Sequence, residues 1–247
     1  MLAWTCDVYT EMRVLALFVA LPILISAFPT LNFLKPREQI CNGHSEFCDR
    51  RYPNVALIGT HNSAFVGDLL DPRVNQQVSV TEQLNAGIRF LQAQTHTVGD
   101  SGIDGLDIDE LDLDFLGDDE GSKLEMCHTS CLEYDAGSFK DYLKPIKTWL
   151  DENVDEVITL LLVNGDNVNA SMFGKIFESV GLADMAFVPS TGKKKLSMDA
   201  WPTYSEMIEN GTRLIVFLDT GADQASVPYI LDEVSKVSIS RVTTAEH

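Results

Sequence analysis

His61 and His128 are the residues of this chain whose type and placement best suit catalysis. His128 follows directly on the short apolar segment Leu124 to Cys127, and His61 follows Val55 to Gly59 with only Thr60 between. A strand that ends in a histidine delivers the imidazole to the edge of a sheet, so two such strands can bring together rings that are far apart in sequence. Imidazole titrates near neutral pH, and a pair can share the work of proton transfer: one accepts from an attacking hydroxyl while the other donates to a leaving oxygen. A strand-end histidine is just as readily a hydrogen-bonded structural residue, and the pattern alone does not decide between the two.

Other polar residues stand at equivalent places. Asn62 and Ser63 follow His61, Gln92 to His96 end a second apolar segment, Asn164 to Asn167 end another, and Asp219 and Thr220 end a last one. Asp166 and Asp219 can orient an imidazole, join Asn62 around a cation, or cap the helix that follows. His96 reads as exposed, and His44, between Cys41 and Cys48, reads as part of a disulfide loop without a further role. Arg89 is a cation near the second segment. In a strand Phe90, Gln92 and Gln94 share one face and Arg89 takes the other, so it reads as structural or surface.

The elements that must position these residues follow from hydrophobic periodicity. Val55 to Gly59, Ile88 to Gln94, Leu124 to Cys127, Val157 to Val163 and Leu214 to Leu218 read as strands, with Ala186 to Val188 a sixth candidate. Thr81 to Ala86, Ser138 to Asn153, Met172 to Val180 and Tyr204 to Glu209 read as helices between them. Val157 to Val163 is apolar on both faces, which a strand covered from both sides requires. This alternation is that of an α/β protein. In a parallel TIM-type β/α barrel the polar residues would all open onto one mouth, and a doubly wound sheet would also gather them at one edge.

The chain has 247 residues, 45% of them hydrophobic, and a net charge of −19. That composition supplies a core and excludes a disordered chain, and so negative a surface repels nucleic acid. Nine acids fall between Asp104 and Glu120 without a lysine or arginine, and no register there meets the EF-hand pattern. The segment reads as a solvated insertion, with weak calcium binding as the alternative. Residues 1–27 read as a secretory signal built on the apolar run Val14 to Ala27, with Met12 the better start. A membrane anchor is the alternative, disfavoured by the short run and Pro22. Cys41, Cys48, Cys127 and Cys131 remain, and in an exported protein they suggest disulfides, the local pairs 41 with 48 and 127 with 131 being preferred over a four-cysteine zinc site. Asn169 and Asn210 open glycosylation sequons, which should face solvent. Lys193 to Lys195 is a basic cluster that reads as a solvated loop or a contact for anionic headgroups.

Four blocks in order, NVALIGTHNSAF, TEQLNAGIRFLQAQTH, LEMCHTSC and EVITLLLVNGDN, resemble the secreted fungal branch of the PLC-like phosphodiesterases, relatives of phosphatidylinositol phospholipase C. The resemblance runs from about Cys41 to Glu233. It implies a distorted β/α barrel with its site at the strand C-termini, His61 as general base and His128 as general acid. It also implies a phospholipid or glycerophosphodiester substrate, met transiently at a membrane surface. In relatives that use the lipid's own inositol hydroxyl, intramolecular attack gives a cyclic phosphate.

The chain departs from that pattern on its second strand. Where relatives carry calcium ligands, or an Asp and Arg pair, it has Gln92 and Gln94. A glutamine amide can donate to a phosphate oxygen but supplies no positive charge and is a poor calcium ligand. No cofactor is therefore certain. Calcium stays an option through Asn62, which matches the family's His-Asn pair, and Asp166 and Asp219 join the glutamines as phosphate-contacting candidates. The barrel needs about eight strands, so the chain reads as incomplete at its C-terminus, with residues 28–234 as the barrel and residues 235–247 as an atypical tail. Two other readings stand beside the secreted hydrolase: a catalytically inactive barrel that binds a surface, and a calcium buffer built on the acidic insertion.

Overall fold

In the computed structural model, residues 39–97, 124–190 and 196–233 are described. The signal-like run, the acidic insertion, Lys193 to Lys195 and the tail lie outside them. The core is a mixed α/β fold around one sheet. Its parallel strands are β1 (Gly59–Thr60), β2 (Phe90–Thr97), β5 (Ile158–Asn164), β6 (Leu214–Leu218) and β7 (Ile230–Asp232). They are neighbours in that order, as successive β/α units require, and β3 (Leu124–Cys127) and β4 (Asp135–Ser138) form an antiparallel hairpin on β2. Among the described residues the sheet runs from β4 to β7 without closing into a barrel.

Alternation along the strands separates two cores. Leu91, Ala93, Leu160, Leu162, Leu214, Val216 and Leu218 pack with residues of the helices α2 (Phe139–Glu152) and α3 (Ala170–Ser179), including Leu143, Ile146, Phe173 and Phe177. The alternate residues Ile215, Phe217 and Leu231 pack the opposite face with Cys41, Cys48, Trp201, Tyr204 and Met207. Both faces of β6 are therefore dry, which is why LIVFL contains no polar residue. The helices start where capping chemistry allows. Ser79 and Thr203 each form a reciprocal capping box, with Glu82 at α1 (Val80–Asn85) and Glu206 at α4 (Tyr204–Glu209), while Ser138 Oγ accepts from the Asp141 N–H at α2.

Three expectations change. The first strand shrinks from Val55–Gly59 to two residues, because β1 pairs with β2 only at Gly59 and Thr60, and Ile58 is exposed. Leu124 to Cys127 is a strand, but it runs antiparallel to β2 as half of a hairpin whose other strand, the polar DAGS, carries no apolar alternation to announce it. Ala186 makes a single bridge to Leu214 rather than a sixth strand, while the true additional parallel strand is β7. The cysteines pair locally, Cys41 with Cys48 and Cys127 with Cys131. Both sequon asparagines, Asn169 and Asn210, are exposed.

Candidate functional site

Strand β2 is the spine of the site. Its edge beside β1 receives the loop that begins at His61, and farther along it receives the turn after β3. The Asn62 N–H donates to Gln92 Oε1 at 2.7 Å, and both the N–H and the Oγ of Ser63 donate to the Gln92 backbone carbonyl at 2.8 and 3.0 Å. Two residues on, the Thr129 N–H donates to Gln94 Oε1 at 3.2 Å. The two glutamines thus hold the residues next to both histidines. A backbone N–H can be met only by the amide oxygen, so neither Nε2 takes part in these two bonds.

The loops also grip each other. The Phe65 ring lies 5.1 Å from the His128 ring and 5.8 Å from that of Tyr134, while Tyr134 Oη donates to the Val66 carbonyl at 2.8 Å. Arg73 donates to the Glu133 carbonyl at 3.0 Å and is itself fixed by Asp71, whose carboxyl the guanidinium's hydrogen bonds hold at about 2. The Cys127–Cys131 disulfide closes the turn that carries His128. Asn62 and Thr129 both lie in the left-handed region, at φ of 50° and 66°. Asparagine adopts this region readily, but for a β-branched threonine it is a true outlier, so strain of order 1 kcal/mol sits beside His128 and is held by the surrounding bonds.

His61 is exposed and its carbonyl accepts from Gln76 Nε2 at 2.7 Å, whereas His128 is half-buried against Phe65. Beneath them, Ser63 Oγ shares a hydrogen bond of 2.8 Å with Tyr142 Oη, and burial pushes that phenol's pKa well above its usual value. Buried Gln83 ties the loop at three points: it donates to the Ser63 and Val78 carbonyls and accepts from Thr60 Oγ1. Gln76, Gln83 and Tyr134 are positioning residues that periodicity did not reveal. A buried glutamine within the TEQLNAG helix was the available signal.

Asp166 and Asp219 take roles that differ from helix capping, since Asn169 caps α3. One oxygen of Asp166 meets His96 Nδ1 at 3.0 Å, and the other accepts from the Thr97 N–H and Oγ1 at 2.6 and 2.9 Å. Burial alone would raise its pKa, but those donors outweigh burial and hold the carboxyl below its ordinary range. His96 is therefore a partnered, half-buried ring rather than an exposed one. Asp219 accepts from the Asn164 N–H at 2.9 Å and fixes the end of β5. Arg89 is structural, as its face predicted: it pairs with Glu156 at 2.7 Å, donates to two carbonyls and lies 4.7 Å from the Trp149 ring.

Calcium does not fit this donor set. The ion takes six to eight oxygens, usually with several carboxylates. Buried Asn62 does present an Oδ1 without a donor. Both glutamine oxygens are already committed to backbone N–H groups, both Asp166 oxygens are engaged by His96 and Thr97, and no cluster of three acids, histidines or cysteines suited to a metal occurs among the described residues. A cavity of about 330 Å³, lined by Arg51, Phe187, Trp201 and Glu206 among others, contains neither His61 nor His128.

Parallel strands in β/α succession, with two histidine loops gathered on one strand edge, define a mixed α/β protein with a strand-end site. The chain belongs to the PI-PLC X family, whose description (PI-PLC X 1) matches residues 47–106 and 112–241. It is 47% identical over 214 residues to PI-PLC X domain-containing protein 1 of Arthroderma benhamiae, covering 86% of this chain and 60% of that protein. A second protein of that fungus, named an uncharacterized secreted protein, is 38% identical and is matched over 80% of this chain and 39% of its own length. The fold is similar to that of a mutant phosphatidylinositol-specific phospholipase C from Staphylococcus aureus, with a TM-score of 0.50 at 11% identity over 73% of this chain and 52% of that one. The Listeria monocytogenes enzyme aligns with a TM-score of 0.46 at 17% identity, over 70% and 54%. The chain thus spans less than two thirds of these proteins.

Proposed function

We propose that this chain is a secreted phosphoric diester hydrolase of the phospholipase C type, acting on a phospholipid or glycerophosphodiester. His61 takes the proton of the attacking hydroxyl and His128 protonates the leaving oxygen. The observation that carries this reading is the double suspension on β2, in which Gln92 holds the His61 loop and Gln94 holds the His128 turn. Two proton-transfer groups fixed to one rigid strand can serve one reacting centre, and general acid and base catalysis is worth about 10²–10⁴-fold.

Three further observations support a lipid substrate outside the cell. Leu69 and Leu70 of the first loop are 73% and 88% exposed, and Leu132 of the second is 78% exposed. These loops are joined by the Arg73 contact to Glu133, and exposed leucines on such loops suit contact with a bilayer surface. Two disulfides, together with a relative named as secreted, favour an oxidising compartment.

A second reading, an inactive surface-binding protein, draws on the neutral glutamines of β2, whose oxygens serve as scaffold. Hydrolysis of phosphatidylinositol and of glycerophosphodiesters, measured with wild type, His61→Ala and His128→Ala, separates the two. The hydrolase reading predicts turnover in wild type alone. Equal turnover in all three proteins, or none in wild type, rejects it.

A further inference from the structure

A diester phosphate passing through its transition state needs positive charge beside its non-bridging oxygens. Among the described residues, three arginines are engaged elsewhere: Arg73 with Asp71 and Glu133, Arg89 with Glu156 and Trp149, and Arg213 with the carbonyls of Leu150 and Asn153. Gln92 and Gln94 are neutral. One further side chain on this face of β2 has the required chemistry. His96 shares the face of Gln92 and Gln94 by alternation, one repeat of about 6.6 Å beyond Gln94 toward the strand's C-terminal end.

The ring of His96 is held on two sides. Nδ1 meets Asp166 at 3.0 Å, and Asp166 is itself fixed by two bonds from Thr97. The ring also lies against Gly165, where a side chain is excluded: a Cβ there would fall 2.7 Å from Nε2 and closer still to Cε1. With Nδ1 committed, Nε2 is the ring's remaining polar atom, and the side chain keeps 17% of its surface exposed. With Nδ1 donating to the carboxylate, the doubly protonated ring is the form that offers an Nε2–H, and a phosphate oxygen can accept from it.

We propose that His96, positioned by Asp166 and by the missing side chain of Gly165, is the phosphate-binding group of this site, its Nε2–H donating to a non-bridging oxygen of the diester. It supplies the charge that the two glutamines lack. This inference rests on the phosphodiester reading for its catalytic consequence, but the binding step can be measured separately.

The test is calorimetric titration of the full chain with inorganic phosphate, alongside diester turnover, for wild type, His96→Gln, Gly165→Ala and the surface control His44→Gln. Losing one charge-assisted hydrogen bond weakens phosphate binding by about tenfold or more. His96→Gln is expected to show that loss and a matching fall in kcat in a protein that still melts cooperatively. Gly165→Ala, which retains the histidine but displaces its ring, is expected to lose phosphate affinity as well, and His44→Gln to lose nothing. Wild-type affinity in both His96→Gln and Gly165→Ala, or no phosphate binding by wild type, overturns the proposal. Phosphate binding that depends on His96 in a protein without turnover upholds the site and rejects the hydrolase reading. Turnover that ignores His96→Gln does the reverse.

Discussion

Strand β2 lies between two nitrogen-bearing side chains in opposite circumstances, Arg89 just before its first residue and His96 near its last. Just before its start, Arg89 is heavily engaged: Glu156 takes its Nε, two carbonyls take one Nη, and Trp149 lies against the guanidinium. At the finish, His96 has one nitrogen committed to Asp166 and the other uncommitted by any such network. Within seven residues the bonding goes from a side chain tied at three points to one tied at a single nitrogen. A side chain bound from several sides holds the fold together, whereas one that is held firmly and left unfinished is available to a ligand. The same distinction separates the glutamines' oxygens, spent on loop N–H groups, from their amide nitrogens.

Substitutions at the two ends should therefore separate activity from stability. The largest effect belongs to the histidine loops: His61→Ala or His128→Ala is expected to cut kcat by about 10³-fold with the melting temperature unchanged. Stopped assays paired with thermal melts check this. Arg89→Ala should do the opposite, destabilising the protein by about 3 kcal/mol because Glu156 is left charged, half-buried and alone. Its turnover below the melting transition should equal that of wild type, so urea titrations with activity assays sharpen the contrast.

Gln92→Leu lies between the two ends and should show both effects. It strands the Asn62 N–H, costing about 1–3 kcal/mol, and frees the His61 loop, so activity should fall by more than stability predicts. Replacing both Cys127 and Cys131 by alanine opens a short covalent loop, worth about 2 kcal/mol in chain entropy. Urea melts should recover that loss, and release of the His128 turn should lower kcat at temperatures where the protein stays folded. The smallest effect is that of acid. Asp166 has its folded pKa lowered, so the stability it contributes is present above the ordinary aspartate value, about 4, and is lost as pH falls through the depressed folded value. Asp166→Asn should remove that component of the acid-unfolding curve, and an unaltered curve would show that the carboxylate does not stabilise the fold.

Much of the fold was legible because apolar runs announce covered strands. Leu214 to Leu218 was read with its ends correct, and the face shared by Phe90, Gln92 and Gln94 follows from alternation alone. What escaped was set by pairing. The DAGS strand is polar and becomes a strand only through its partner β3, and the short β7 is defined by its contact with β6. For the proposed site, His61, Asn62 and His128 stand out by position at strand ends and Gln92 and Gln94 by their shared face within β2. That the glutamine oxygens are scaffold, and that Asp166 serves His96, depends on contacts spanning 30 to 70 residues of chain, which periodicity does not encode.

The division of labour between the two imidazoles is tested most directly by changing the leaving group. Turnover of an alkyl phosphodiester should be compared with that of its p-nitrophenyl counterpart, whose leaving oxygen departs without needing a proton. A general acid at position 128 predicts that His128→Ala fails on the alkyl diester yet retains most activity on the activated one, while His61→Ala fails on both. Equal losses by the two variants on both substrates would contradict it.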